Sequence, residues 1–186
     1  MDHKTKLLIS ELEKNGRISL TKLGKKLGVS HVAIKKRLEN LLNKNLIKIS
    51  PQFNTSKLGL KIAAINIEVE SYEKLKKLTS IFKECPRTFF VANTAGKFNL
   101  LVLIYAENID TLRSILDVCC IRTQEGIRKS EVNVGEIIHP EFFPLKIHRR
   151  DNKKITPCGL DCSKCERFHM KKCLGCSATI NYRGNL

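Results

Sequence analysis

The first fifty residues carry apolar positions at the spacing of amphipathic helices. These positions are Leu8 and Leu12, Leu23 and Leu27, and then Ile34, Leu38 and Leu41. Residues three or four apart lie on the same face of a helix, so the pattern predicts three short helices whose apolar faces form one small core. Few residues separate the second helix from the third, which indicates a tight turn between them.

Two residues of that turn match its expected geometry. Gly28 follows the second predicted helix, where a left-handed backbone conformation costs glycine little. Ser30 is placed to cap the third helix, because its hydroxyl can accept a hydrogen bond from an N–H of the first turn. Residues 20–42 therefore predict a helix-turn-helix.

The third predicted helix has a basic face opposite its apolar stripe. In a helix-turn-helix this face enters the major groove of DNA and its side chains reach base edges. Neighbouring lysines on a helix are also common on a solvated surface, but the capped helix and the turn before it favour DNA recognition. The residues predicted to contact DNA are Ser30, His31, Val32, Lys35, Lys36 and Arg37.

Several stretches of residues 2–60 share a known pattern. They are Asp2, LLISELEKNGRISLTKLGKKLGVS, Ile34, Arg37-Leu38, Leu41 and LIKIS. On these residues the segment resembles the N-terminal domain of the Lrp/AsnC family of transcription regulators. Gly24 departs from the family pattern, which usually has alanine there, and glycine weakens a helix by about 1 kcal/mol relative to alanine.

From Leu60 onward the pattern changes to strands alternating with helices. Residues 65–69 alternate apolar and polar, a helix follows, two adjacent strands meet at Gly96-Lys97, and a second helix precedes a last strand near residues 131–138. The order β-α-β-β-α-β predicts a ferredoxin-like domain, and the chain as a whole is predicted to be α+β. This part is similar to the effector-binding and dimerisation domain of the same family, which implies a homodimer or higher homo-oligomer.

The resemblance also implies a small-molecule site, commonly for an amino acid, beside a Gly-x-x-Asp loop. The matching residues here are Gly96 and Asn99. An amide in place of the carboxylate removes the natural partner of an ammonium group. The alternative is that Gly96 only forms a hairpin turn and Asn99 is its polar flank.

The end of the chain is rich in cysteine. Five of the eight cysteines follow the spacing C-x3-C-x2-C-x7-C-x2-C, and we predict that they bind a metal: Cys158, Cys162, Cys165, Cys173 and Cys176. The segment has few apolar residues, so a metal is expected to supply its folding energy. Zinc would take four ligands from these cysteines and His169; an iron–sulfur cluster is the competing interpretation.

The other three cysteines are interpreted differently. Cys119 lies on an apolar helical stripe and is predicted to be a small packing residue. Cys120 lies at the edge of that stripe and Cys85 ends a helix before Pro86, and both packing and chemistry are open for them. The predicted organisation is a DNA-binding domain at 1–50, a linker at 51–59, the ferredoxin-like domain at 60–140, a basic linker at 141–157 and the cysteine-rich segment at 158–186.

The net charge of +16 is concentrated at the two ends of the chain. Residues 1–60 have 13 Lys and Arg against four acids, residues 61–140 have 11 against ten, and residues 141–186 have ten against four. Such a distribution is typical of binding to a polyanion, here double-stranded DNA. In the basic linker, Arg149, Arg150, Lys153 and Lys154 either contact phosphates or form a solvated connector.

Composition narrows the possible cellular location and the possible classes of function. The chain has 42% hydrophobic and 28% charged residues, with neither a membrane-spanning stretch nor a signal peptide, so a cytoplasmic location is expected. An RNA-binding adaptor is less favoured because only 6% of residues are aromatic. The C-x3-C-x2-C spacing also occurs in radical SAM enzymes, but too little chain follows it here, so no enzyme is expected. The predicted function is a sequence-specific DNA-binding regulator; the alternative is a metal or redox sensor with the cysteines as its input.

Overall fold

Three helices pack around a small apolar core in the first part of the chain. In the computed structural model, which describes residues 1–147 and 152–186, they are α1 (His3–Lys14), α2 (Leu20–Leu27) and α3 (His31–Asn43). Leu8, Leu23 and Ile34 are fully buried between them. The helices predicted from the apolar spacing are confirmed. This unit, Met1–Pro51, is separate from the second unit, Gln52–Leu186.

The second unit is built on a four-stranded antiparallel sheet. Its elements are β1 (Phe53–Asn54), β2 (Lys61–Val69), α4 (Tyr72–Glu84), β3 (Thr88–Asn93), β4 (Leu100–Ala106), α5 (Ile109–Asp117), α6 (Cys120–Thr123), β5 (Ile127–Gly135), β6 (Phe142–Phe143), a 3-10 turn (Cys162–Lys164) and α7 (Glu166–His169). The strand order is β3-β4-β2-β5. The predicted α+β class and the β-α-β-β-α-β order are confirmed.

The two faces of this sheet have different surroundings. Alternate residues of β2 and β4, such as Ile65 and Val102, are fully buried with Phe82 of α4 and Leu112 of α5. The opposite face of the sheet is mixed: Ile62 and Tyr105 are buried, whereas Leu101 and Leu103 are partly buried beside the polar Asn66 and Glu68. Strand alternation therefore produces one face that packs against the helices and one mixed face, with an apolar part at Leu101 and Leu103, that these helices leave uncovered.

Both segments predicted as linkers contain structure that the sequence pattern did not indicate. β1 lies within the predicted linker 51–59 and pairs with β6, with Phe53 opposite Phe143. Leu145 is buried in a second small core with Leu60 and Tyr105. The prediction of plain linkers over 51–59 and 141–157 therefore needs correction.

The cysteine-rich tail, residues 158–186, packs on α5. The Ser114 hydroxyl donates to the carbonyl of Lys172 at 2.8 Å and accepts from Arg167 Nε at 2.6 Å. The N–H of Leu174 donates to Thr111 Oγ1 at 3.3 Å. The tail therefore makes hydrogen bonds to the ferredoxin-like domain, and the expectation that a metal supplies its folding energy stays a prediction. No helix in the described residues is long and apolar enough to cross a membrane.

Candidate functional site

Helix α3 presents four predicted DNA-contacting residues to solvent. Ser30 caps the helix, its hydroxyl accepting from the N–H of Ala33 at 3.2 Å. The exposed side chains that follow are His31, Val32, Lys35 and Lys36. Val32 is 60% exposed, and an apolar side chain at this place can contact the methyl group of thymine. The face therefore combines one apolar and three basic or polar groups on a rigid helix.

Arg37, the sixth residue predicted to contact DNA, forms an exposed ion pair with the start of α1. Its side chain is 32% exposed, and Nη1 donates to Asp2 Oδ2 at 2.6 Å and to Thr5 Oγ1 at 3.0 Å. The hydrogen bond from Arg37, followed by the one from the N–H of Thr5, holds the pKa of Asp2 well below its usual range. Arg37 thus connects α3 to the start of α1, and its contact with DNA stays a prediction.

The turn between α2 and α3 depends on two glycines. Gly28 has φ +63°, the left-handed conformation that the sequence predicted for this position. Gly24 lies beneath the turn, where an added Cβ would be 2.7 Å from the carbonyl oxygen of Val29. The close approach of the turn explains why glycine replaces the alanine usual in the resembled family.

The two residues predicted to bind an effector lie in the loop between β3 and β4. Gly96 has φ +132°, which glycine adopts readily. Asn99 accepts from the N–H of Val69 at 2.8 Å and donates to the carbonyl of Val69 at 2.9 Å. A carboxylate could accept the first hydrogen bond but could not donate the second. The structure therefore explains the amide by a contact within the domain.

Cysteine side chains from the tail and from the ferredoxin-like domain line one cavity. The cavity has a volume of about 660 Å³, and all five tail cysteines line it together with Cys85 and Cys119. We call it the cysteine cavity. Cys85 ends α4 and is 8% exposed, and Cys119 follows α5. The sequence treated Cys119 as a packing residue; the structure also places it on the wall of this cavity.

Several sulfur atoms of the cysteine cavity have hydrogen-bonding partners. These are Cys173 with the N–H of Gly175 (3.4 Å), Cys158 with the hydroxyl of Thr156 (3.1 Å), Cys162 with the N–H of Cys176, and Cys176 with the N–H of Ala178. The backbone N–H groups among these partners donate to sulfur and stabilise the thiolate, which is the form that binds metals, whereas between Thr156 and Cys158 either group can be the donor. The loops therefore orient hydrogen bonds toward the sulfurs that the sequence predicted as ligands.

Burial acts in the opposite direction on the same thiols. It raises the pKa of Cys176 to about 12 and is also the main cause of the raised pKa of Cys162 and of Cys119. For Cys119 the neighbouring thiols of Cys173 and Cys158 raise the pKa further. A thiolate in this cavity consequently requires nearby positive charge.

Two arginines also line the cysteine cavity. Arg87 is 3% exposed, forms an ion pair with Glu107, and donates to the carbonyl of Gly175 at 3.2 Å. Its Nε is buried and has no hydrogen-bond partner among the described residues. Arg167 is held by Ser114, as described above. Positive charge is therefore present at the wall of the cavity.

The remaining predicted candidates are a histidine of the tail and two arginines of the basic linker. His169 Nε2 is 2.6 Å from the carbonyl oxygen of Ser163, so its ring is engaged by the backbone. Within residues 1–147 and 152–186, no group of three or more Cys, His, Asp or Glu side chains is arranged to hold a metal ion. The basic residues Arg149 and Arg150 lie outside the described residues.

Comparison with known proteins agrees with the fold and the turn. Residues 1–42 match the AsnC-type helix-turn-helix domain. The chain is 34% identical over 121 residues to an uncharacterised HTH-type transcriptional regulator of Pyrococcus abyssi, a match that covers 62% of this chain and 77% of that protein. It is 27% identical over 117 residues to the HTH-type transcriptional regulator LrpA of Pyrococcus horikoshii, covering 62% and 83%.

A solved structure has a similar fold. The structure of E. coli AsnC matches with a TM-score of 0.64 at 20% identity, covering 73% of this chain and 91% of AsnC. The helix-turn-helix match, the regulator from Pyrococcus abyssi and this fold together show that the chain belongs to the Lrp/AsnC family of DNA-binding transcriptional regulators.

Proposed function

We propose that this chain is a sequence-specific regulator that reads bases in the DNA major groove with α3. The observation that carries the proposal is the exposed quartet His31, Val32, Lys35 and Lys36 on a helix capped by Ser30. Their side chains include donors for guanine and an apolar contact for thymine. Because Arg37 is held by Asp2, it positions α3 and is left out of the base-reading set.

The distribution of charge supports DNA as the polyanion. The 13 Lys and Arg of residues 1–60 include several lysines outside the quartet. Exposed lysines contact the phosphates of DNA. Phosphate contacts fix the position of the protein on the duplex, whereas base contacts select the sequence. RNA would be attracted by the same charge, and a comparison of the two nucleic acids belongs to the test.

We further propose that two copies pair through the uncovered face of the sheet. Phe90 and Leu103 are opposite each other on β3 and β4, and Leu101 lies on the same face. Phe90 is 44% exposed in the single chain. A second copy would bury these side chains, and the resulting two-fold axis predicts a two-fold symmetric DNA site.

Selection from random DNA duplexes tests this function. We expect an enriched inverted repeat whose half-sites are about 10 base pairs apart or a multiple of that spacing. Leu103→Glu should give monomers in light scattering and lose the preference for paired half-sites. A pool with no enriched sequence, or equal affinity for single-stranded RNA, would contradict the proposal.

A second candidate is a regulator whose DNA binding responds to a metal centre at Cys158, Cys162, Cys165, Cys173 and Cys176. It is favoured by their position around one cavity in the same unit as the sheet proposed to form the dimer. Zinc and an iron–sulfur cluster are both compatible with thiolate ligands. An amino-acid effector at Gly96 and Asn99 is not included, because the Asn99 amide is engaged with Val69.

A further inference from the structure

The cysteine cavity is larger than the space enclosed by the ligands of a single metal ion. Zinc lies about 2.3 Å from each of four sulfurs, so the ligands close tightly around it. Here all five tail cysteines, with Cys85 and Cys119, are among the residues that line a cavity of about 660 Å³, and within residues 1–147 and 152–186 no group of three or more Cys, His, Asp or Glu side chains is arranged to hold a single metal ion. A core of several iron and sulfide ions occupies more space and has cysteines at its corners.

The cavity is also made by two parts of the chain. The tail is held against α5 by Ser114 and Thr111, which brings its cysteines next to Cys119 at the end of that helix. Cys119 and Cys158 both pack against the core of the ferredoxin-like domain. A centre in this cavity can therefore take ligands from both parts, which the spacing of the tail cysteines alone does not indicate.

The walls suit a charged inorganic core. Ile121 is fully buried and Phe168 is 6% exposed, so part of the lining is apolar and excludes water. Two cationic side chains line the cavity, Arg87, which is paired with Glu107, and Arg167. Hydrogen bonds to the sulfurs, as at Cys173, are a feature by which proteins stabilise iron–sulfur clusters.

One glycine of the tail has a conformation that supports this arrangement. Gly175 has φ +82°, and an added Cβ would be 2.7 Å from the carbonyl oxygen of Asn181. This conformation lets the N–H of Gly175 donate to Cys173 in the C-x-G-C stretch. The backbone is therefore shaped around the sulfur, which is typical of a ligand loop.

We infer that the cysteine cavity holds an iron–sulfur cluster with four thiolate ligands, of which the tail supplies three and the ferredoxin-like domain supplies Cys119. The inference rests on the metal-binding candidate of the proposed function and names both its cofactor and its extra ligand. It makes the cluster a connection between the tail and α5. The first proposal, that α3 reads bases, does not depend on this inference.

The test uses the full chain purified without oxygen. We expect about four iron and four sulfide per chain and a brown protein with broad visible absorbance. Zinc at one per chain without sulfide would overturn the cluster, and protein without any metal would overturn the site. DNA affinity is measured on the same preparation, so that failure of the cluster and failure of base reading by α3 can be distinguished. A chain without metal that still binds its selected site refutes only the cluster.

The extra ligand is tested by substitution. Cys119→Ser and Cys119→Ala should each lose at least half of the bound iron, while Cys85→Ser, prepared in parallel, should keep it, since both residues line the cavity but only Cys119 is assigned as a ligand. Circular dichroism confirms that each variant is folded, and the isosteric serine and the apolar alanine guard against a simple packing defect. Equal iron in folded Cys119 and Cys85 variants would overturn the assignment of Cys119.

Discussion

At the scale of single residues, side chains that look functional in the sequence are used inside the fold. Arg37 follows two lysines on α3, yet its guanidinium is bound to Asp2 and Thr5. Asn99 occupies an effector position of the resembled family, yet its amide bridges the backbone of Val69. In both cases the side chain has a long-range partner that the local sequence does not show.

The ion pair of Arg37 predicts a pH-dependent stability. Asp2→Asn keeps an N-cap that can accept from Thr5 but removes the charge, so it should lower the thermal midpoint of the first unit at pH 7. The pKa of Asp2 is depressed in the folded chain from an ordinary value of 3.8. The stabilisation is therefore complete above that value and is lost as the pH falls from it toward the folded pKa.

Thermal unfolding of both proteins between pH 7 and pH 2 checks this prediction. The matched control is Glu13→Gln, an exposed acid on α1 that makes no ion pair within the part of the chain that the structure describes. A difference between wild type and Asp2→Asn that stays constant over the whole pH range would contradict the account.

At the scale of elements, the helix-turn-helix is set by caps and by two glycines. Ser19 and Ser30 accept hydrogen bonds from the first turns of α2 and α3, and Gly28 ends α2 in a left-handed conformation. Gly24 allows Val29 to lie against α2. The orientation of α3 relative to α2 thus depends on a contact too close for a side chain.

That contact reverses the usual effect of replacing a helical glycine. Helix propensity alone predicts that Gly24→Ala stabilises by about 1 kcal/mol. Because the new Cβ would be 2.7 Å from the Val29 carbonyl oxygen, we expect a net loss of stability in chemical denaturation. Lys25→Ala and Lys25→Gly at the exposed neighbouring position measure the ordinary difference between the two residues. A Gly24→Ala chain more stable than wild type would contradict the close approach.

The periodicity of apolar residues predicts the helices and the long strands. It does not predict the short strands in the connections between them. The apolar spacing of α1 to α3 and the alternation of β2 are local, so the sequence shows them directly. The pairing of β1 with β6 joins Phe53 to Phe143, and strands of two residues have no detectable period. Cys119 lies on an apolar stripe, so its local sequence predicts a packing residue. The cavity that it lines is formed by the tail packed on α5, and this long-range contact is not visible in the sequence.

At the scale of the whole molecule, the tail is part of the second unit. Glu107, just after β4, accepts hydrogen bonds from Arg87 and from the hydroxyl of Tyr182. The guanidinium of Arg87 also lies 5.4 Å from the centre of the Tyr182 ring. This buried contact joins the last residues of the chain to the end of β4, next to the cysteine cavity.

Breaking this contact should loosen the tail from the sheet. Glu107→Gln leaves the buried charge of Arg87 without its partner, and loss of one member of a buried pair costs about 3–5 kcal/mol. The control is Glu125→Gln, the same change in an exposed pair with Lys74, where a much smaller effect is expected. Denaturant unfolding and proteolysis of the tail measure both. Equal stability of the two variants would contradict the structural role of Glu107.

The central claim, that the exposed face of α3 reads bases, is tested most directly by equilibrium binding of α3 variants to a selected site and to an unrelated duplex. Lys35→Ala and Lys36→Ala are compared with Lys44→Ala, which removes the same charge just after the far end of the helix. We expect the first two to weaken binding to the selected site by about 1–3 kcal/mol and to reduce the preference over the unrelated duplex. Lys44→Ala should leave that preference unchanged. Unchanged binding by both variants, or an equal loss on both duplexes, would contradict base reading by α3.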